Sequence, residues 1–297
     1  MPLYTPLRYP GGKKRLVSVV KCLLEANGLS DVRYVEPCAG GAAIALAVLY
    51  ENYATSIHIN DLDRAVYAFW HTALNETEWL CRRIERVRVS IRVWRQQREV
   101  YRDREQADLD ELGFATLFLN RTNRSGILKG GVIGGQDQTG DWGIDARFNR
   151  RNIIDRIRMV GRYSNRIHLH QMDARAFVDE VIPKLGKSVF TFLDPPYIDS
   201  GQGLYLNNYA VDDHRRLAKS VSRLKSSWIV TYDHAAIAHK LYGRFRRIVY
   251  DLHYVTNDRY LGREVMFVSN GLHLPALPYL LGARMHLVRH QTRLKTA

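Results

Sequence analysis

The chain has 297 residues, 46% of them apolar, so it can bury a large core as one domain or two; its formal net charge of +14 favours a polyanionic partner. Of its 44 basic residues 34 are arginines, whose planar forks match phosphates and guanine edges better than lysine point charges do. Three scattered cysteines, Cys22, Cys38 and Cys81, exclude a disulfide framework or a zinc cluster, and no apolar run approaches a membrane span, so a cytoplasmic protein with no membrane and no metal partner is expected.

Residues 32–38, 56–60, 166–172, 189–193 and 228–232 are short apolar runs rich in β-branched side chains, set between helix-period stretches. They predict an α/β fold with a doubly wound parallel sheet. Four of the runs end at or beside an acid: Glu36, Asp61, Asp173 and Asp194. Ligands of such sheets sit beyond the carboxyl ends of the strands, so one edge would gather these carboxylates, although each is also a candidate helix cap. Residues 64–163 break the strand–helix alternation with helical segments followed by a Gly-rich polar stretch over 120–149, the pattern of an inserted domain. Within it nine arginines face three acids over 82–104, which predicts either a solvated helix face or a surface that touches phosphates. Residues 245–255 and 265–270 read as an antiparallel hairpin about the turn-rich TNDRYLGR, and 271–297 form a basic, proline-led tail.

The sharpest motif is Asp194-Pro195-Pro196-Tyr197, directly after the apolar strand VFTFL. Two prolines fix φ and delete backbone donors, which leaves a corner of acceptors only. An exocyclic amine fits such a corner: the Asp194 carboxylate and the Pro195 carbonyl can take its two hydrogens and stabilise the positive charge that grows as the nitrogen attacks an electrophile. Tyr197 adds a π-face for a flat heterocycle.

This motif is the catalytic signature of S-adenosylmethionine-dependent amino methyltransferases, and the rest of the chain resembles the Dam-type, D12 class, adenine-specific DNA methyltransferases. The resemblance runs from about residue 7 to 270 and implies a Rossmann-like methyltransferase sheet (1–63 and 164–270) with an inserted, mainly helical DNA-recognition domain (64–163) that contains a β-hairpin. It rests further on Arg8-Tyr9-Pro10-Gly11-Gly12-Lys13, on Glu36-Pro37-Cys38-Ala39-Gly40-Gly41-Ala42, on Asn60-Asp61-Leu62-Asp63, and on Phe118-Leu119-Asn120-Arg121 followed by Ser125-Gly126-Ile127. Three positions depart from the family pattern: Ala42 stands for a glycine, and Cys38 and Arg124 stand for aromatics. The implied cofactor is S-adenosyl-L-methionine, held by Tyr9, Gly12, Lys13, Glu36, Gly40, Asp61, Asp173 and Asp194, with Lys13 near its carboxylate and Asp61 on its ribose. Catalysis falls to Asp194, Pro195, Pro196 and Tyr197. DNA contacts fall to Arg8, Asn120, Arg121, Arg124, Ile127 and Lys129, Ile127 as an apolar wedge and Lys129 as a base reader. The implied activity is site-specific methylation of adenine N6 in duplex DNA after base flipping, in a bacterium or phage, alone or beside a restriction endonuclease. Adenine in RNA, or a silent DNA-binding module on the same fold, are the alternatives.

Overall fold

The computed structural model describes residues 4–8, 13, 16–197, 209–255, 259–275 and 286–288, with side chains throughout except at 252–261 and 286–288. Five parallel strands lead the sheet: β1 (Val32–Glu36), β2 (Ala54–Asn60), β3 (Ile167–His170), β4 (Val189–Leu193) and β5 (Ser227–Asp233). β6 (Arg246–Val255), β7 (Arg259–Val268) and β8 (His286–Val288) complete the order β3-β2-β1-β4-β5-β7-β6-β8. β7 runs antiparallel between β5 and β6, and β8 pairs antiparallel with β6. From β1 the chain winds outward through β2 and β3, then returns to lay β4 on the other side of β1, so the winding reverses between β1 and β4. Strand ends diverge at such a point and leave a crevice.

Alternation along the strands feeds two cores. Tyr34, Phe190, Phe192, Ile229, Met266 and Val268 face one side, whereas Val35, Val189, Leu193, Val230, Val265 and Phe267 face the other. The second face is covered by α8 (Ala174–Glu180), α9 (Val211–Val221) and α10 (Ala236–Tyr242). α1 (Val17–Ala26) and α2 (Ala43–Tyr50) cover the first, and so does a helical layer of α3 (Arg64–Asn75), α4 (Thr77–Arg86), α5 (Ile91–Arg102), α6 (Leu109–Thr122) and α7 (Arg150–Arg162). Phe69, Trp70, Leu80, Phe118 and Ile157 of that layer belong to the same apolar cluster as Tyr34 and Phe190 of the sheet. The helical segment is therefore welded to the sheet through a shared core.

Three expectations are corrected. The segment after α6 does not form a β-hairpin: it closes on one isolated antiparallel bridge, Asn123 with Val132. The chain reverses at once through Ser125 (φ 54°) and Gly126 (φ 76°), and the Asn123 side-chain amide donates to the Ile127 and Leu128 carbonyls, which removes acceptors a ladder would use. β7 begins at Arg259 rather than at 265, because its ladder continues to Val255–Arg259 and backbone pairing needs no apolar side chains there. β8 lies within 271–297, which the sequence predicts as tail; the remainder of 276–297 lies outside the described residues.

Candidate active site

The carboxyl ends of β1, β2 and β4 open into a cleft. Its sheet side is lined by 36–44, 61–63, Met172, Ala174, Asp194 and Pro196; its other wall comes from Tyr101, Thr116, Asn120 and 126–129 of the helical layer. Glu36 is 3% exposed and accepts from Ala45 N (2.9 Å) in the first turn of α2 and from Tyr34 Oη (3.1 Å), so it closes the floor and caps the helix together. Asp61 accepts from Gly40 N and Asp63 N, both at 2.9 Å, and so ties the β1 and β2 turns across the cleft. The Gly40 carbonyl takes the buried Trp70 indole N–H at 2.8 Å. Ala42, at the family's glycine position, adopts φ 46°, a left-handed conformation that costs an L-residue ~1–2 kcal/mol. Asp173 stands slightly apart: its side chain caps α8 through Arg175 N and Ala176 N and accepts from Tyr209 Oη at 3.0 Å, while its neighbours Met172 and Ala174 line the cleft.

At the end of β4 the Asp194 carboxylate accepts from Thr231 Oγ1 (2.6 Å) and lies 3.6 Å from Lys13 Nζ. That ammonium sits 4.6 Å from the centroid of the Tyr197 ring, donates to the Tyr197 hydroxyl, and donates to Glu264 Oε1 at 2.6 Å. Lys13 thus belongs to the corner at 194–197. Tyr9 and Gly12 lie outside the described residues. Sequence reasoning missed Thr231, Glu264 and Tyr101; the signal for Glu264 was an acid opening the apolar run VMFV, a position where burial demands a partner.

The residues assigned to DNA divide. Arg124 and Lys129 are exposed, and Ile127 is half-buried on the cleft wall. Asn120 and Arg121 are set apart from these: α6 runs through them and buries both, at 3% and 7% exposure. Asn120 accepts from Arg8 N (2.7 Å) and donates to the Arg8 and Gly126 carbonyls (2.6 and 2.9 Å), while Arg121 donates to the Pro6 carbonyl. They hold the N-terminal segment against the loop, and burial lowers the Arg121 guanidinium to about 9. The Arg8 side chain is partly exposed and donates to the Asn123 carbonyl at 3.4 Å. The arginine stretch falls on α4, α5 and the turn between them: Arg82, Arg86, Arg88, Arg92 and Arg95 are exposed, whereas Arg98 donates to the Leu128 and Gly130 carbonyls and Arg83 pairs with Glu111 at 2.7 Å.

The family model of the D12 class N6 adenine-specific DNA methyltransferases matches residues 9–256, which takes in every strand of the parallel sheet and all of the cleft lining except Leu7. The chain belongs to this family. No curated protein matches it by sequence. Among solved structures it is similar to a conserved hypothetical protein from Streptococcus pyogenes (12% identity, 82% of this chain and 89% of that one, TM-score 0.35). It is also similar to a Legionella pneumophila protein (11%, 94% and 97%, 0.37) and to a Listeria monocytogenes protein assigned to the class I S-adenosylmethionine-dependent methyltransferases (10%, 88% and 62%, 0.36). The fold of this D12 member rests on its own strand order rather than on these distant likenesses. Among the described residues no helix is long and apolar enough to cross a membrane, and no three His, Cys, Asp or Glu side chains are grouped to hold a metal.

The D12 cleft is rich in acids that resist ionisation. Burial raises Glu36 to about 8, Asp61 to about 7 and Asp194 to about 6, the last against the opposing pull of Lys13. The folded chain keeps these protons where the unfolded chain has released them, so stability is lost as pH rises from the ordinary carboxylate range through each raised value. Burial and neighbouring imidazoles lower His58 to about 3, which subtracts stability on the acid side of its ordinary 6.5. The ligand-free protein should therefore melt at a lower temperature at pH 8.5 than at pH 7, and Glu36→Gln, which keeps an acceptor for Ala45 N, should flatten that slope. Scanning calorimetry of both proteins across this range decides it; an unchanged slope in the variant would show that Glu36 ionises elsewhere.

Proposed function

We propose that this chain transfers a methyl group from S-adenosylmethionine to N6 of an adenine in duplex DNA, the adenine being turned out of the stack into the 194–197 corner. The observation that carries the reading is the acceptor corner itself, held by Thr231 at the carboxyl end of β4 and opening into an acid-lined cleft where the winding reverses. S-adenosylmethionine suits this lining, because its sulfonium, ammonium and ribose hydroxyls are cations or donors and Asp61 and Asp194 stand on the cleft wall as acceptors. Asp61 would take the ribose hydroxyls, the Gly40 turn would lie against the cofactor, and Tyr9, Gly12, Lys13 and Asp173 would complete its surroundings. Bound there, the cofactor supplies a methyl group on a sulfonium, electrophilic enough for direct displacement without a Lewis acid.

The chain's own part is alignment and charge. Asp194 and the Pro195 carbonyl accept the two amine hydrogens, which orients the nitrogen lone pair and stabilises the ammonium as it forms. Pro196 fixes the turn, and the Tyr197 ring carries the flipped base. The proton leaves after transfer, so no separate general base is required. Residues 1–63 and 164–270 act as the catalytic domain and 64–163 as the target-recognition domain. Arg92 and Arg95 hold phosphates, Arg8, Arg124 and Lys129 meet the target site, and Ile127 wedges.

Radiolabelled cofactor with duplex DNA, duplex RNA and bulk protein, followed by nucleoside analysis, tests the reading. N6-methyladenine in DNA alone is expected. On a randomised duplex library, Arg124→Ala or Lys129→Ala should relax preference at one position by ~1–3 kcal/mol. Transfer to RNA alone, or cofactor binding without transfer, overturns the reading.

A further inference from the structure

One buried carboxylate at the corner has no part in the amine chemistry. Glu264 of β7 is 1% exposed and stands opposite Tyr250 of β6 in the antiparallel ladder. Three donors converge on it: Lys13 Nζ at 2.6 Å and the Tyr197 hydroxyl on Oε1, and the Tyr250 hydroxyl on Oε2 at 2.7 Å. The same ammonium stands 3.6 Å from Asp194 Oδ1, a full ångström farther than from Glu264. One cation is thus shared unequally between two carboxylates. A buried cation seeks the nearest available anion, and a carboxylate oxygen already engaged by an ammonium is a poor acceptor for a further amine hydrogen.

Resting on the reading of 194–197 as the methyl-accepting corner, we propose that Glu264 is a positioning residue for transfer: it holds the Lys13 ammonium and the Tyr197 hydroxyl on its own carboxylate, so that Asp194 stays open to the incoming amine. The chemistry asks for a carboxylate here. It only accepts, and its two oxygens have room for three donors, whereas an amide would turn an N–H₂ toward Tyr250 or toward Lys13. Without the negative charge of Glu264, Lys13 has Asp194 as its remaining anion at the corner; closing the 3.6 Å gap to Oδ1 neutralises the carboxylate whose charge must stabilise the forming ammonium. A carboxylate that merely satisfied a buried lysine would leave turnover at saturation intact and affect stability or affinity alone.

The test is steady-state kinetics on duplex DNA with the full-length wild type, Glu264→Gln, Glu264→Asp and the double variant Lys13→Met/Glu264→Gln, together with cofactor binding by calorimetry. Glu264→Gln should lose about a hundredfold in kcat while KM for DNA and Kd for the cofactor change little, the signature of an interaction that matters in the transition state. Glu264→Asp, which keeps the charge but draws it back by one methylene, should fall between. The double variant should turn over faster than Glu264→Gln at saturating cofactor, because no cation remains to occupy Asp194. Wild-type kcat in Glu264→Gln, a loss confined to KM, or a double variant no faster than the single one overturns the proposal. If Glu264→Gln does not fold, Glu264→Asp carries the test, and wild-type kcat there overturns it. A wild type that fails to methylate duplex adenine overturns the underlying reading and this proposal together, an outcome distinct from an active wild type with an equally active Glu264→Gln.

Discussion

Asp194→Ala is expected to lose methyl transfer by at least a hundredfold, about 2.7–4 kcal/mol of transition-state stabilisation, while duplex DNA still binds. The carboxylate accepts from Thr231 Oγ1 at 2.6 Å through Oδ1, and Asp194 lines the cleft. Alanine removes both acceptors and strands the buried Thr231 hydroxyl, a further cost of about 1–3 kcal/mol. Asp194→Asn is the more informative change. It retains the bond from Thr231 and hence the fold, but its second group is an amide donor, which repels an amine hydrogen instead of accepting it. Both variants should therefore be inactive in single-turnover assays, with the asparagine variant melting close to wild type and binding DNA normally by fluorescence anisotropy. Near-wild-type turnover in either would remove Asp194 from the chemistry.

The second large effect is expected from Gly126→Ala. Gly126 has φ 76°, and a Cβ there would stand 2.5 Å from the Arg8 carbonyl, 3.1 Å from Arg8 Cβ and 3.2 Å from the Asn120 amide nitrogen. Backbone cannot yield as a flexible side chain can, and the left-handed conformation adds its own ~1–2 kcal/mol. The Arg8 segment must then leave the Asn120 side chain that grips both its N–H and its carbonyl. Lys13 follows five residues later, so the disturbance should reach the catalytic corner as well as the loop. We expect a melting temperature lowered by several degrees and DNA methylation reduced at least tenfold. Thermal melts and initial rates check this. A variant that matched wild type in both would mean that the N-terminal segment is not clamped to this loop.

The parallel sheet was legible because its central strands, β4 above all, are buried on both faces and read as apolar runs closed by acids. The acid-lined cleft was legible for the same reason, since Glu36 ends β1 and Asp61 and Asp194 directly follow β2 and β4. What escaped was set by partners distant in sequence. Asn120 and Arg121 look like surface residues by type, yet a helix that packs between α3 and α5 buries them, and only the Pro6–Arg8 backbone, more than a hundred residues away, explains their polarity. The loop after α6 carries the glycines and polar residues of a hairpin, but the Asn123 side chain competes for the carbonyls and leaves a single bridge. Glu264 pairs with a lysine 251 positions earlier, a separation that no local pattern encodes.

The cleft's second wall has a consequence for how such a protein diversifies. Tyr101, Thr116 and Ile127 to Lys129 of the helical layer face the same space as Glu36 and Asp61, and the layer shares one apolar core with the sheet. On the proposed reading, a duplex that shifted this wall would change the affinity for the cofactor beside it, and the cofactor would change the affinity for that duplex by the same factor. Target preference and cofactor grip would then be two readings of one equilibrium. Grafting a foreign loop over 123–132 would therefore retune both at once, and lineages that acquire new targets should carry paired changes on the cleft-facing sides of α5 and α6.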